Sequence, residues 1–338
     1  MQSKQNDKLL IVENLTMEYQ SPRRLFEKAK PSVKAVNNVS FEVRAGETFG
    51  IVGESGCGKT TLGKCVVRLL KPSEGRLFFN DNGDMKDLLS LKSRESFELR
   101  KKLQIVFQDP YASLNPMHTI LEAFDEPMRV HGIGDGDKEK RKELIAHALE
   151  MVNLQPEYMY RYPHEFSGGQ RQRICVAKAL VLEPRLIVCD EPVSALDVSI
   201  QAQLLNLMRK LQKELGVTFL FIAHDLSVVQ YMSDRIAVMY LGNIVELADA
   251  DELYHNIKHP YTQALLSAVP IPVYNAKKKR IILEGDVPSP MNPPSGCPFH
   301  PRCSKCMNIC KEMKPELREL GTGGHYVACH LYDDQQVY

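Results

Sequence analysis

The sequence predicts an α/β fold, on three observations. Short, nearly continuous apolar runs lie at 103–107, 186–190 and 218–223. A helix-period run separates the last two, and a glycine-rich turn sits between a strand and a helix at 53–60. Runs that are apolar throughout suit strands buried on both faces of a parallel sheet, and strands alternating with helices make an α/β layer structure. In the stretch 198–215, Ile200, Leu204, Met208, Leu211 and Leu215 share one helical face. Residues 8–15 and 33–43, rich in β-branched side chains with partial alternation, read as strands. The turn Ala45-Gly46 leads into a further strand ending at Val52, and a helix runs from Lys59 to about Leu70, with Pro72 just beyond its end. Residues 119–151 read as an inserted helical subdomain, with 134–142 its exposed loop and a helix start. Past 245 the pattern weakens and Pro270, Pro272, Pro288, Pro290, Pro293 and Pro294 accumulate, so an extension poor in regular structure is expected.

A chain of 338 residues corresponds to about two domains. With 43% apolar and 25% charged residues it is neither a disordered nor a collagen-like chain. Positive and negative charges number 43 and 42, so the basic excess of a nucleic-acid binder is missing. No run approaches the roughly 18–20 apolar residues of a membrane helix. The start lacks the order of a signal peptide, so the expected location is the cytosol, with the membrane reached through a partner.

Residues 53–60 read G-E-S-G-C-G-K-T, the phosphate-loop pattern in its proper strand–turn–helix context. Glycines let backbone N–H groups converge on phosphate oxygens, and the helix N-terminus adds partial positive charge. Lys59 then reaches the β- and γ-phosphates and Thr60 holds Mg²⁺. At 186–191 an apolar strand ends in two acids: Asp190 suits Mg²⁺, and Glu191 is placed to polarise the attacking water. A second glycine turn, FSGGQRQR at 166–173, opens another helix and makes another anion site. One ATP needs one phosphate loop, so the second turn implies a second copy or a relative across an interface.

This ordered set resembles the ATP-binding subunits of ABC transporters, over about residues 8–250. The matching segments are 53–60, Gln108 in IVFQDP, the SGGQ signature at 167–170, LIVCDE at 186–191, SALD at 194–197 and His224 in FIAHD. Phe166 stands where the family often has Leu. The resemblance implies a phosphate-loop NTPase fold of the ABC type and an ATPase that works as a head-to-tail dimer. Gly53, Ser55, Gly56, Cys57, Gly58, Lys59, Thr60 and Thr61 of one chain would surround the phosphates. Ser167, Gly168, Gly169 and Gln170 of the other chain would close over them. Asp197 would lie at the dimer interface, His224 would contact the γ-phosphate, and Gln108 would contact Mg²⁺ or the water. Tyr19 reads either as the aromatic that stacks on adenine or as an ordinary strand-end tyrosine.

Of nine cysteines, Cys57, Cys65, Cys175 and Cys189 are scattered, while Cys297, Cys303, Cys306, Cys310 and Cys329 crowd the tail. In a reducing compartment such a cluster suggests metal before disulfide. The tail, with HPYTQALLSAVP at 259–270 and GDVPSPMNPPSGC at 285–297, resembles that of the peptide and nickel importer group, and within it the F-type oligopeptide and dipeptide permease ATPases. The resemblance implies a [4Fe-4S] cluster on Cys297, Cys303, Cys310 and Cys329. The extra Cys306 makes a C-x-x-C pair that keeps zinc open, with His300 or His330 as a substitute ligand. The implied division is an ATPase domain at 1–248, with its helical subdomain at about 109–165, and an extension at 249–338. The implied partners are a second ATPase, such as a D-type paralogue, two membrane permeases and an external peptide-binding protein. Such an assembly would put the chain on the cytoplasmic face of the plasma membrane. Nickel, opine and oligosaccharide importers share much of this sequence. A soluble ATPase acting on nucleic acid or ribosomes is disfavoured by the near-zero net charge and the short stretch from Gln108 to Ser167. A purely iron–sulfur redox or regulatory protein would leave the ATPase motifs unexplained.

Overall fold

The computed structural model describes residues 8–19, 32–268 and 281–333; Pro270 and Pro272 lie outside the described residues. In chain order come β1 (Lys8–Tyr19), β2 (Val33–Arg44), β3 (Thr48–Val52), α1 (Lys59–Val66), β4 (Glu74–Asp81), β5 (Asp84–Asp87), α2 (Ser93–Arg100) and β6 (Leu103–Val106). Three helices follow: α3 (Ile120–Val130), α4 (Lys138–Met151) and α5 (Gly168–Leu180). Next are β7 (Leu186–Asp190), α6 (Val198–Leu215), β8 (Thr218–Ala223), α7 (Leu226–Met232), β9 (Arg235–Tyr240) and β10 (Asn243–Asp249). The chain continues with α8 (Ala250–His255), α9 (Pro260–Ser267), α10 (Asn308–Glu312), β11 (Arg318–Glu319) and β12 (Tyr326–Val327). Two compact units interleave along the sequence. One takes Met1–Leu10, Val43–Thr48 and Phe79–Ile222, the other Ile11–Glu42, Phe49–Phe78 and Ala223–Tyr338.

In the first unit β6, β7 and β8 pair in parallel, with Val106 opposite Cys189 and Asp190 opposite Ile222. Every residue of β7 and of β8 is buried, as their unbroken apolar character requires. Helix α6 starts at Asp197, whose carboxylate accepts the Ile200 N–H, and buries Leu204, Leu205, Leu207, Met208 and Leu211. Each such side chain contributes about 1.5–3 kcal/mol relative to exposure. Gly216, left-handed at φ 65°, ends the helix. Leu215, expected on the apolar face, is exposed there. The stretch 119–151 holds two helices, and the second starts inside 134–142, where a loop and helix start are expected. Gly132, Gly134 and Gly136 adopt positive φ between them, and Asp137 caps the second. Arg141 of α4 pairs with Asp125 of α3.

In the second unit the strand order is β11-β12-β10-β9-β3. β3 pairs with β9 in parallel, and the others run antiparallel. β10 is buried from Asn243 to Ala248 and pairs with β12 near the end of the chain. The C-terminal region therefore holds more regular structure than its proline content suggests. α1 is shorter than the expected Lys59–Leu70 helix because Arg68 turns left-handed at φ 59° and the Leu69 and Leu70 N–H groups fold back onto the Lys64 carbonyl. Among the described residues, no helix is long and apolar enough to cross a membrane.

Candidate nucleotide site

The sequence-assigned residues divide between the two units. Tyr19, 53–61 and His224 belong to the second; Gln108, 167–170, Asp190, Glu191 and Asp197 belong to the first.

In the second unit, buried β3 delivers the chain into the loop 53–58 and α1 leaves it. The N-cap of α1 is Gly58 at φ 105°, with no side-chain cap and no acid in the first turn. The first N–H groups of a helix have no acceptor in a preceding turn of it, so a helix start without a side-chain cap suits an anion. The two glycines flanking the loop are there for space. A Cβ on Gly53 would lie 2.2 Å from the Met239 carbonyl oxygen, and one on Gly58 would lie 1.9 Å from that of Ala35. Gly56, by contrast, has open surroundings, as a position over which a ligand passes needs. Lys59 is 4% exposed. Its ammonium donates to the carbonyls of Gly53 (2.8 Å) and Glu54 (3.0 Å), both neutral acceptors of its own loop. A buried cation resting on carbonyls, beside an uncapped helix start, fits a phosphate. Cys57 is buried beside it, and burial pushes its thiol up against the lowering influence of Lys59. Ser55 is exposed, while Thr60 and Thr61 are half-buried at the first turn of α1. Tyr19 is exposed at the end of β1, and His224 is exposed between β8 and α7.

In the first unit, Asp190 ends β7, buried, and Glu191 follows in the left-handed region at φ 48°. A non-glycine residue there costs on the order of 1 kcal/mol or more and is held by its surroundings. The Glu191 N–H donates to the Ile222 carbonyl at 2.9 Å, and the Ser194 hydroxyl donates to the Glu191 carbonyl at 3.1 Å. The Gln108 amide donates to Glu191 Oε2 at 3.4 Å and to Ser194 Oγ at 3.1 Å. Two residues assigned separately from sequence, Gln108 and Glu191, thus meet, and Ser194, read only as the start of the SALD segment, joins the same group. The signature turn forms a reciprocal cap. Ser167 Oγ accepts the Gln170 N–H at 3.3 Å, and Gln170 Oε1 accepts the Ser167 N–H at 3.0 Å. A Cβ on Gly169 would come 2.3 Å from Ile200 Cγ2, so glycine lets α5 approach α6. Asp197 caps α6, and the Ile200 N–H followed by the Ser199 hydroxyl holds its carboxyl below the usual range.

Residues 36–194 match the ABC transporter family, and residues 245–310 match the oligopeptide/dipeptide transporter C-terminal region. The oligopeptide transport ATP-binding protein AppF of Bacillus subtilis (strain 168) is 54% identical over 91% of this chain and 92% of its own. OppF of Haemophilus influenzae, also an oligopeptide transport ATP-binding protein, is 47% identical over 96% of this chain and 98% of its own. The chain belongs to the ABC transporter ATPases. Its fold agrees with that of the family. The dimeric post-hydrolysis structure of the ATP-binding cassette MJ0796 with ADP and Pi has a TM-score of 0.62 and 28% identity, over 72% of this chain and 99% of that one.

Cys329 lies within electrostatic reach of Cys297, Cys303 and Cys310. Burial pushes Cys297 up to about 11 and Cys329 up to about 12. Cys306 turns its sulfur toward the Met307 carbonyl at 3.5 Å. Both His330 nitrogens are engaged, by Asp333 at 2.6 Å and the Met313 carbonyl at 2.9 Å, which removes it as a substitute ligand. The donor chemistry fits a soft metal or cluster. Yet no group of three or more His, Cys, Asp or Glu is disposed to hold a metal ion among the described residues.

Sequence reading missed Glu54, Arg302 and Tyr261. Arg302 donates to both Glu54 carboxylate oxygens, at 2.8 and 3.2 Å, and the Glu54 N–H donates to Tyr261 Oη at 3.0 Å. Tyr261 lies in the shared tail segment 259–270 and Glu54 in the phosphate-loop pattern, but neither pattern links them to each other or to Arg302.

Proposed function

We propose that this chain is the ATP-hydrolysing subunit of an importer for oligopeptides or dipeptides. One observation carries the reading: a single chain matches the ABC transporter family and, beyond it, the oligopeptide/dipeptide transporter C-terminal region. The near-full-length relatives named for oligopeptide transport support it. In this reading residues 1–248 are the ATPase domain, with a helical subdomain at about 109–165, and 249–338 the transporter-specific extension. Tyr19 stacks on adenine; Gly53, Ser55, Gly56, Cys57, Gly58, Lys59, Thr60 and Thr61 surround the phosphates. Glu191 takes a proton from the attacking water, Gln108 orients that water, and His224 contacts the γ-phosphate. Thr60, Gln108 and Asp190 would hold Mg²⁺, which would supply positive charge against the phosphates. Ser167, Gly168, Gly169 and Gln170, with Asp197 beside them at the interface, act on the nucleotide of the opposite ATPase. Binding closes the pair head to tail and hydrolysis releases it. Cys297, Cys303, Cys310 and Cys329 would hold a [4Fe-4S] cluster, with zinc as the alternative, and such a group would staple the tail.

The partners are a second ATPase of the D-type paralogue kind, two membrane permeases and an external peptide-binding protein, with no nucleic acid. The chain sits on the cytoplasmic face of the membrane. The test is to purify the tagged chain at native level from detergent-solubilised membranes and identify its companions by mass spectrometry. Two multi-span permeases and a second ATPase are expected. Recovery only from the soluble fraction, with ribosomal or nucleic-acid proteins, would overturn the importer reading.

A further inference from the structure

Glu54 is the second residue of the phosphate loop and is held at three points. Its N–H donates to Tyr261 Oη at 3.0 Å. Its carboxylate accepts two hydrogen bonds from Arg302, at 2.8 and 3.2 Å. Its carbonyl accepts from the Lys59 ammonium at 3.0 Å. The first two groups come from the C-terminal region, and the third is the lysine that meets the phosphates. Neither anchor is loose. Tyr261 is fully buried, with its ring 4.7 Å from Tyr240 and 5.4 Å from Phe299. The Arg302 side chain is 8% exposed and lies 6.0 Å from the Tyr240 ring centroid. A paired fork of this kind fixes direction as well as charge.

The charge matters as much as the geometry. A carboxylate one residue from Gly53 would repel a nucleotide phosphate unless a cation cancels it. Arg302 is that cation. It stands in the short turn His300–Arg302, between Cys297 and Cys303, so the thiol-rich turn and the phosphate loop share one ion pair.

We propose that Arg302 and Tyr261 are positioning residues for nucleotide binding, which clamp Glu54 so that the C-terminal region sets the shape and charge of the phosphate loop. The inference rests on residues 53–60 being the nucleotide loop. Lys59→Ala tests that separately.

The experiment measures the affinity of the full chain for a fluorescent ATP derivative, MANT-ATP with Mg²⁺, and checks each variant's melting curve. Arg302→Ala should weaken binding by at least about tenfold, the size of a charged hydrogen-bonded contact. Tyr261→Phe should weaken it by about two- to fivefold, as one neutral hydrogen bond does. The double variant Arg302→Ala/Glu54→Gln should recover at least about a threefold part of the loss, because no uncompensated carboxylate is left beside the anion. General damage to the tail would not be rescued by a change in the loop. The inference is overturned if Arg302→Ala binds within about twofold of wild type, or if its loss is unaffected by Glu54→Gln. Wild-type affinity in Lys59→Ala overturns the loop assignment and this inference with it. Wild-type affinity in Arg302→Ala alone overturns only the inference.

Discussion

Two glycine-rich turns open helices in this chain, and they are built in opposite ways. The turn at 53–58 leaves its helix uncapped, buries a lysine against its own carbonyls, and takes its support from residues more than two hundred positions away. The turn at 167–170 caps itself through Ser167 and Gln170 and is steadied by the neighbouring start of α6. The first joins a helix start without a side-chain cap to a buried lysine, which fits a phosphate. The second offers glycine N–H groups, while the arginine beside it, Arg171, is turned onto the Tyr111 ring and the Pro163 carbonyl, which suits half of a site completed elsewhere. Being glycine-rich and at a helix start therefore does not define a turn's role; what caps it and what charge it buries do.

The largest effect should come from Glu191, the carboxylate beside Gln108 that is proposed to act on the attacking water. Glu191→Gln should lower ATP turnover by at least about a hundredfold while leaving nucleotide affinity near wild type. Parallel hydrolysis and MANT-ATP titrations check this, and equal losses in both would remove Glu191 from the chemistry. Next comes the geometry of the first turn. Gly58→Ala must push a methyl group into the Ala35 carbonyl at 1.9 Å and adopt φ 105°. We expect at least about a tenfold loss of nucleotide affinity, from strain of the order of 1–3 kcal/mol. Ser167→Ala probes the second turn and should cost about 1 kcal/mol of stability through the lost cap, seen as a lower melting temperature with affinity retained.

How much of this was legible in the sequence follows the same contrast. The motif residues are local patterns: a loop between strand and helix, two acids ending an apolar strand, Ser-Gly-Gly-Gln before a helix. The parallel strands β7 and β8 were equally plain, because burial on both faces leaves no alternation to misread. The clamp on Glu54 was not legible, since no local pattern links position 54 to 261 or 302. Nor were β11 and β12, each two residues long, because their pairing is decided by β10. α1 was read too long, because nothing in the residue type announces the left-handed Arg68.

The smallest expected effect concerns how firmly the tail supports the first turn. Glu246 is fully buried and accepts from the Lys258 and His259 N–H groups and from His325 at 2.8 Å. Burial disfavours charge on His325, but the hydrogen bond and charge of Glu246, with Glu252 behind it, raise its pKa above the ordinary value. His259, in contact with the same carboxylate through its backbone, is pushed by burial down to about 4. The raised group adds stability that is complete below its unfolded pKa of about 6.5 and is lost as pH rises through the folded value. Hydrogen exchange at β12 should therefore speed up at alkaline pH beyond the intrinsic rate. His325→Ala should abolish that extra dependence; an unchanged pH profile would show that this pair does not hold the tail.

The measurement that bears most directly on the account sets the two turns against each other in the assembled transporter. Lys59→Ala and Ser167→Arg are each introduced into this chain, and its MANT-ATP affinity and the complex's ATP turnover are measured. Lys59→Ala should lose binding. Ser167→Arg should bind within about twofold of wild type and yet lower turnover by at least about tenfold, because it spoils a transition-state contact made to the other subunit's nucleotide. Loss of this chain's own binding in Ser167→Arg, or unchanged turnover there, would contradict the division of the site between two chains.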